Sequence, residues 1–189
     1  ATFLKSEDVS WGDSYDEAYR RTKKLEGELL AFAIRVQAQP LEQQESERLQ
    51  QFLNGVRHAV HSAKSLRDIR HNLTEFEDSP VHELNRYVDH FRAVMTGFFG
   101  ELFRLGSGVA PTFRDFAEML DRVHDWHDRL HKEVFEDIDS SRIGPGEISS
   151  LLNVNREILN SNVALLMAIQ EFHLEPSESL AIGQLPGAI

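Results

Sequence analysis

The sequence predicts an all-α protein, an antiparallel bundle of about five long helices. Apolar residues recur at alternating spacings of three and four along most of the chain, which is the period of a helix that buries one face. Short stretches rich in proline, glycine and serine interrupt this pattern and fit turns between helices. No segment alternates polar and apolar residues over a length that would support a sheet.

Prolines delimit the first two predicted helices. We call the row of residues at these spacings the seam of a helix. In the first helix the seam consists of Tyr15, Ala18, Thr22, Leu25, Leu29, Phe32 and Val36. Pro40 ends this helix, because a proline disfavours helical geometry in the residue before it. The second helix starts near Leu41, and its seam consists of Leu49, Phe52, Val56, Ala59, Ala63, Leu66, Ile69, Leu73 and Phe76. Asp78–Ser79–Pro80 stops it and places Pro80 at the first position of a third helix.

The next three helices follow the same logic. The third has the most regular seam, which consists of Val81, Leu84, Val88, Phe91, Met95, Phe98, Leu102 and Leu105. Gly106–Ser107–Gly108 breaks it, and Pro111–Thr112 opens the fourth helix. Asp115 stands three residues after Thr112, the spacing of a capping box. The fifth helix is apolar on a wide stripe, which predicts contact with several neighbours, and it ends at Glu175–Pro176.

These signals divide the chain into three parts. We predict a leader or linker over residues 1–12, a helical bundle over 13–174 and a C-terminal tail over 175–189. The tail contains Gly183, Pro186 and Gly187 and shows no sustained period. We therefore expect the tail to be flexible or to dock as a loop.

Composition excludes several classes of function. The 189 residues carry 20 Lys and Arg against 31 Asp and Glu, a net charge of −11. This acidic balance argues against nucleic acid as a partner, because phosphate binding needs a basic surface. The chain has no cysteine, which rules out disulfides and thiolate chemistry and fits a reducing, cytoplasmic compartment. No apolar run has the length of a membrane span.

Two asparagines interrupt the aliphatic seam of the fifth helix. Asn155 and Asn162 are seven residues apart and therefore share a face. A buried amide needs hydrogen-bond partners, and such residues often fix the register of packed helices. We interpret the pair as a structural polar layer, and a ligand or ion site inside the bundle is the alternative.

Histidines and aspartates cluster on two helices. On the second helix His58, His61 and Asp68 belong to a polar stripe beside the seam. On the fourth helix His124, Asp128 and His131 follow the same spacing. Imidazoles and carboxylates from two facing helices are the ligands of metal sites in bundles. We interpret both stripes as solvent-exposed faces, and a divalent metal held between them is the alternative.

No catalytic motif is present in the sequence. It contains no nucleophile elbow, no phosphate-binding loop and no dinucleotide fingerprint. The one Ser–His neighbour pair, at positions 61 and 62, faces apart on a helix. We therefore expect a protein that is not an enzyme and has no cofactor.

Two segments resemble a known family. Residues 57–73, RHAVHSAKSLRDIRHNL, and residues 148–170, ISSLLNVNREILNSNVALLMAIQ, resemble PhoU-like helical domains. They are most similar to the cytoplasmic domain that follows the membrane part of bacterial sodium-dependent phosphate cotransporter relatives. The resemblance covers residues 13–174 and includes helix order, helix lengths and a few polar positions.

The resemblance implies two similar helical halves and a role in the control of phosphate uptake. Stand-alone PhoU proteins carry an E/D-x-x-x-D motif in each half, which binds a metal cluster. The matching positions here are Lys64 and Asp68 in the first half, and Arg156 and Asn160 in the second. A cation in place of a metal-binding carboxylate contradicts that function. We therefore do not expect the metal cluster, and we predict that these four residues form a polar layer between the two long helices.

These inferences lead to one expected function. The chain is predicted to be a regulatory or interaction domain at the inner face of the cell membrane, within a larger phosphate-transport protein. Its partner would be the membrane segment of the same chain or another protein, and a homo-oligomer is compatible with the sequence. A metal-binding helical bundle, using the histidines and aspartates above, is the alternative.

Overall fold

A computed structural model describes residues 15–107, 110–137 and 143–188. These residues form six helices and no strand, which confirms the all-α prediction. The helices are α1 (Tyr15–Gln37), α2 (Gln43–Glu77), α3 (His82–Gly106), α4 (Phe113–Asp137), α5 (Pro145–His173) and α6 (Pro176–Gly183). Five are long, from 23 to 35 residues, and α6 has 8. The leader predicted over residues 1–12 lies outside the described residues.

Helices α2 and α5 form the centre of the bundle. They share the most extensive contact of any two helices in the described part of the chain. Gln51 Nε2 donates a hydrogen bond to the Leu174 carbonyl oxygen at 2.8 Å, and the Ser62 and Ser161 hydroxyls are 2.9 Å apart. As the position on α2 increases, the position on α5 decreases, so the two helices are antiparallel.

The remaining helices pack around this pair. Helix α1 runs antiparallel to α2, where the Tyr15 hydroxyl donates to the Ala63 carbonyl oxygen at 3.0 Å. Helix α5 also contacts α3, α4 and α6, which confirms the expectation of several neighbours. Helices α3 and α4 are antiparallel, because Glu101 pairs with Arg122 at 2.8 Å, whereas the earlier His90 lies 3.9 Å from the later Glu133.

The hydrophobic core consists of two clusters along α3, α4 and α5. The first cluster includes Ile69, Phe76, Phe91, Leu130 and Ile158, near the far end of α2. The second also receives residues of α6 and the tail, and it includes Phe98, Phe116, Met119, Leu166 and Ile182. Each of these side chains is at most 4% exposed, so both clusters are shielded from solvent.

Helix ends agree with local sequence signals at one boundary and differ at another. The predicted capping interaction is present, since Asp115 Oδ2 accepts hydrogen bonds from the Thr112 backbone N and hydroxyl at 2.8 and 2.7 Å. Both bonds lower the pKa of the Asp115 carboxyl. Pro80, expected at the first position of the third helix, lies before α3 instead. The Asn85 side chain stabilises that turn by donating to the Phe76 carbonyl oxygen at 2.8 Å.

The C-terminal tail differs from the expectation of a flexible segment or loop. Pro176 occupies the first turn of α6, where its missing N–H costs nothing. Glu178 Oε2 accepts a hydrogen bond from the Glu175 backbone N at 3.4 Å, which is a capping interaction. Ile182 is fully buried in the second core cluster. Pro176 therefore both ends α5 and starts α6. Through α6 the tail is part of the folded bundle.

Helix α1 is only half covered. Two members of its predicted seam, Leu25 and Phe32, are each 55% exposed, and Ile34 is 66% exposed. Its one fully buried side chain is Ala33. Because α2 is the helix that α1 chiefly contacts, the flanks of its apolar face are left in solvent. The structure thus presents an apolar surface on α1.

Candidate functional site: a histidine-lined cavity

A cavity of about 470 Å³ lies between α2, α4, α5 and the C-terminal tail. This volume is in the range of small-molecule sites. The lining residues are His58, His61, His124, Leu159, Asn160, Val163, Ala164, Met167, Gly187 and Ala188. Three imidazoles and one carboxamide are therefore set in an otherwise largely apolar wall.

Helical spacing explains why these residues converge. The α5 residues of the wall lie at positions 159, 160, 163, 164 and 167, which form one stripe on a helix. His58 and His61 are three residues apart on α2 and face the same side. Because α2 and α5 are antiparallel neighbours, the two stripes together form part of the cavity wall.

The C-terminal tail closes one side of the cavity. His124 Nε2 lies 2.9 Å from the Gly187 carbonyl oxygen, and because a carbonyl oxygen only accepts, Nε2 donates this hydrogen bond to the tail. Gly187 has φ of 81°, a conformation that favours glycine. A Cβ at this position would overlap the His124 imidazole. Both the backbone conformation and the lack of space beside His124 therefore favour glycine at position 187.

Burial controls the charge of one imidazole. The pKa of His58 is lowered from its ordinary value of 6.5, mainly by burial, while Glu171 acts in the opposite direction and His61 in the same direction. A neutral imidazole both donates and accepts hydrogen bonds. At neutral pH the cavity therefore presents hydrogen-bonding groups rather than a fixed positive charge at His58.

The structure brings together the three histidines but not the predicted acidic partners. Asp68 is exposed and pairs with Arg67 at 2.7 Å. Asp128 is exposed and lies 3.0 Å from the ring of its neighbour His127. His131 is exposed and packs against another ring on α4. Among the described residues, no three His, Asp or Glu side chains lie close enough together to hold a metal ion.

The two asparagines of the fifth helix are both buried. Asn155 is 4% exposed, and its Nδ2 donates to the His127 carbonyl oxygen on α4 at 3.0 Å. Asn162 is 2% exposed, and its Oδ1 has no hydrogen-bond partner among the described residues. Both line a void of about 10 Å³, which is close to the space that one water molecule occupies.

The other members of the predicted polar layer lie elsewhere. Lys64 and Arg156 are exposed, and Arg156 Nη2 donates to Asn153 Oδ1 on its own helix at 2.6 Å. Asn160 is half-buried and lines the histidine cavity. The buried polar contact between the two long helices comes instead from Ser62 and Ser161.

Sequence reasoning missed that serine pair. Ser62 and Ser161 are 4% and 1% exposed. Each lies beside an apolar seam, and a small polar residue at such a position is the signal that could have indicated close helix packing. Gly55 supplies a second close approach, because a Cβ there would come 2.9 Å from the Phe172 ring and 3.3 Å from the Ala168 carbonyl oxygen.

Comparisons with known proteins found no relative of this chain. The chain matches no protein-family model, no curated protein and no solved structure. None of the helices in the described part of the chain combines the length and apolarity needed to cross a bilayer.

Proposed function

We propose that this chain is a non-enzymatic regulatory domain of the PhoU-like type, associated with inorganic phosphate transport. We place it in the cytosolic part of a sodium/phosphate cotransporter-like protein. One observation supports the proposal above others. The segments 57–73 and 148–170, which resemble the family, lie on α2 and α5, and these two helices form the antiparallel centre of the bundle.

The order of the helices is compatible with two halves. Helices α1 to α3 and α4 to α6 form two successive sets of three, and the long middle helix of each set packs against the other. A bundle of this kind regulates a partner by packing against it differently in two states. The departure from the family at Lys64 and Arg156 means that such control works without the metal cluster of stand-alone PhoU proteins.

The exposed surface of α1 provides a place for the partner. Leu25 and Phe32 are apolar, are each 55% exposed and lie seven residues apart on one face of α1, and exposed apolar surface often marks a protein interaction site. We propose that the membrane segment of the transporter, or a protein bound to it, covers this face.

Phosphate uptake tests the proposal. In the source organism, deletion of the codons for residues 15–188 should abolish the fall in uptake of labelled phosphate when phosphate is abundant. Uptake that responds to phosphate as in the parent strain would refute a regulatory role. The reading frame gives an independent check, because the proposal requires membrane-spanning segments to be encoded upstream.

A point variant tests the proposed surface. Phe32→Glu should leave the fold intact, since the side chain is 55% exposed, and should reproduce the regulatory defect of the deletion. Phe103→Glu on α3 is the matched control, because Phe103 is 56% exposed and lies on another helix. Equal effects of the two variants would argue against α1 as the contact surface.

Metal binding is the second candidate function. One observation favours it, namely that His58, His61 and His124 line the same cavity. Binding would require these imidazoles to move closer together, because among the described residues no three potential ligands converge as they stand. Elemental analysis of protein purified without a nickel column separates the two functions. Stoichiometric zinc, iron or manganese would favour the metal site, and folded, metal-free protein would contradict it.

A further inference from the structure

The wall of the histidine cavity carries hydrogen-bond donors that the rest of the described chain does not use. His58, His61 and Asn160 line the cavity, and none of their side chains hydrogen-bonds to another described residue. An imidazole donates at least one N–H in either charge state, and a carboxamide donates two. These donors on α2 and α5 are therefore available to a ligand, and the proposed regulatory function does not use them.

The third imidazole of the cavity has a different role. His124 Nε2 donates to the Gly187 carbonyl oxygen at 2.9 Å, which ties the tail to α4. Gly187 and Ala188 belong to the wall, and Ala188 is 2% exposed. This contact fixes the side of the cavity that the tail closes and leaves recognition of a ligand to the donors on α2 and α5.

The charge of the wall restricts the ligand. None of the described lining residues is Asp, Glu, Lys or Arg, and Glu171, which interacts electrostatically with His58, belongs to the wall of a neighbouring cavity. A phosphate dianion or a nucleotide would find no matching charge there, in a chain of net charge −11. A single negative charge is different, because two or three N–H donors are enough to stabilise a carboxylate.

The apolar part of the wall lies next to these donors. Leu159 and Val163 are four residues apart on α5, and they share the stripe that contains Asn160. Leu159 is half-buried, so part of its side chain faces the open space of the cavity. A hydrocarbon group that covers this surface leaves water, which strengthens binding by about two- to fourfold for each methylene.

We infer that the histidine cavity binds a small monocarboxylic acid with an aliphatic body. The carboxylate accepts hydrogen bonds from His58, His61 and the Asn160 carboxamide. The hydrocarbon lies against Leu159 and Val163, and the tail closes the cavity beside it. This site goes beyond the proposed regulatory function and does not depend on it.

Isothermal titration calorimetry with hexanoate tests the site on the full chain, in a buffer that contains a metal chelator. The wild-type protein should bind hexanoate with a stoichiometry of one. Hexan-1-ol, which lacks the carboxylate, should bind about tenfold more weakly or less, the lower limit for loss of a hydrogen bond to a charged group. Affinity should rise from butanoate to hexanoate, because two more methylenes are buried.

Asn160→Asp is the decisive variant. It is nearly isosteric and places a negative charge in the wall, so it should abolish hexanoate binding, whereas the same change would strengthen a divalent metal site. The matched control is Asn153→Asp, which makes the same change two turns away on α5 and outside the cavity. The control should change the affinity less than about threefold, because salt screens a charge at that distance.

A second variant removes a donor at an exposed position, where the fold is not at risk. His61 is exposed, and His61→Ala should weaken hexanoate binding by about tenfold. His71→Ala is its control, because His71 is also exposed on α2 and lies outside the cavity, 3.1 Å from Glu75. It should leave the affinity unchanged within about twofold.

Four results would overturn the inference. The first is absence of hexanoate binding to the wild-type chain. The second is equal affinity for hexan-1-ol and hexanoate, which would show that the cavity does not recognise the carboxylate. The third is equal affinity for butanoate and hexanoate, which would show that no hydrocarbon is buried. The fourth is an equal effect of either cavity variant and its control, which would place the bound acid elsewhere on the chain.

Discussion

The hydrogen bond between Ser62 and Ser161 gives the sharpest test of the α2–α5 contact on which the fold depends. The two hydroxyl oxygens are 2.9 Å apart and the side chains are 4% and 1% exposed. Replacing either serine by alanine leaves the other hydroxyl buried without this partner. Replacing both leaves two small apolar side chains facing each other.

The expected energies follow from this geometry. A buried polar group that loses its partner costs about 1–3 kcal/mol, and a serine within a helix recovers part of this by bonding to a backbone carbonyl of the preceding turn. We therefore expect each single variant to lose about 1–2 kcal/mol of unfolding free energy. The double variant should lose no more than the larger single loss, because removal of both partners leaves neither unpaired. The coupling energy is then about 1 kcal/mol or more.

Urea unfolding followed by circular dichroism measures this cycle, with midpoints compared at a common slope. Ser65→Ala is the matched control, because Ser65 is also 4% exposed and lies one turn further along α2. Paired with Ser161→Ala it should give additive losses. Additive losses for Ser62 and Ser161 as well would refute the direct contact, and with it the register in which α2 and α5 are placed.

Three further predictions concern α6, the tail and the histidine cavity. Ile182→Ala should lower the unfolding free energy by about 2–4 kcal/mol, since the side chain is fully buried. Leu180→Ala, 66% exposed, should change it by less than about 0.5 kcal/mol, and equal effects in urea unfolding would contradict the docking of α6. Gly187→Ala should cost about 1–2 kcal/mol and speed hydrogen exchange of the C-terminal amides, because φ is 81° and a Cβ would overlap His124. In a His124→Ala background part of that loss should disappear. Burial lowers the pKa of His58, so below about pH 6.5 the unfolded chain binds the proton first and stability falls as the pH falls. His58→Gln should reduce this fall in urea midpoints between about pH 7 and pH 5, and an unchanged profile would exclude His58 as its source.

Local sequence was enough to predict the five long helices. The alternation of three and four along each seam is a property of the chain itself, and prolines and capping residues such as Thr112 act within one turn. The same local rules predicted that α5 contacts several neighbours, since its apolar stripe is wide. The end of α5 was more difficult, because Pro176 is equally suited to stop one helix and to start another.

The positions of the seam residues could be predicted from the sequence, but the extent to which their side chains are buried could not. Leu25 and Phe32 occupy regular positions, and no signal within α1 indicates that, among the described helices, α2 is the one it chiefly contacts. The same limit affected the polar layer. Lys64 and Arg156 were placed between the long helices by analogy, whereas both are exposed and the hydroxyls of Ser62 and Ser161 meet between these helices instead. Which neighbour covers a face depends on how helices distant in sequence are arranged.

The sequence by itself determined an acidic, cysteine-free, all-helical chain and the apolar seam of each long helix, because helical period and capping depend on residues within a few positions of one another. Only the tertiary structure decided that His58, His61 and His124 share a cavity, that Asp68 and Asp128 do not join them, and that the tail closes it. These outcomes depend on the axial register of α2, α4 and α5. A shift of one turn, about 5.4 Å, would leave every local pattern intact while separating the histidines.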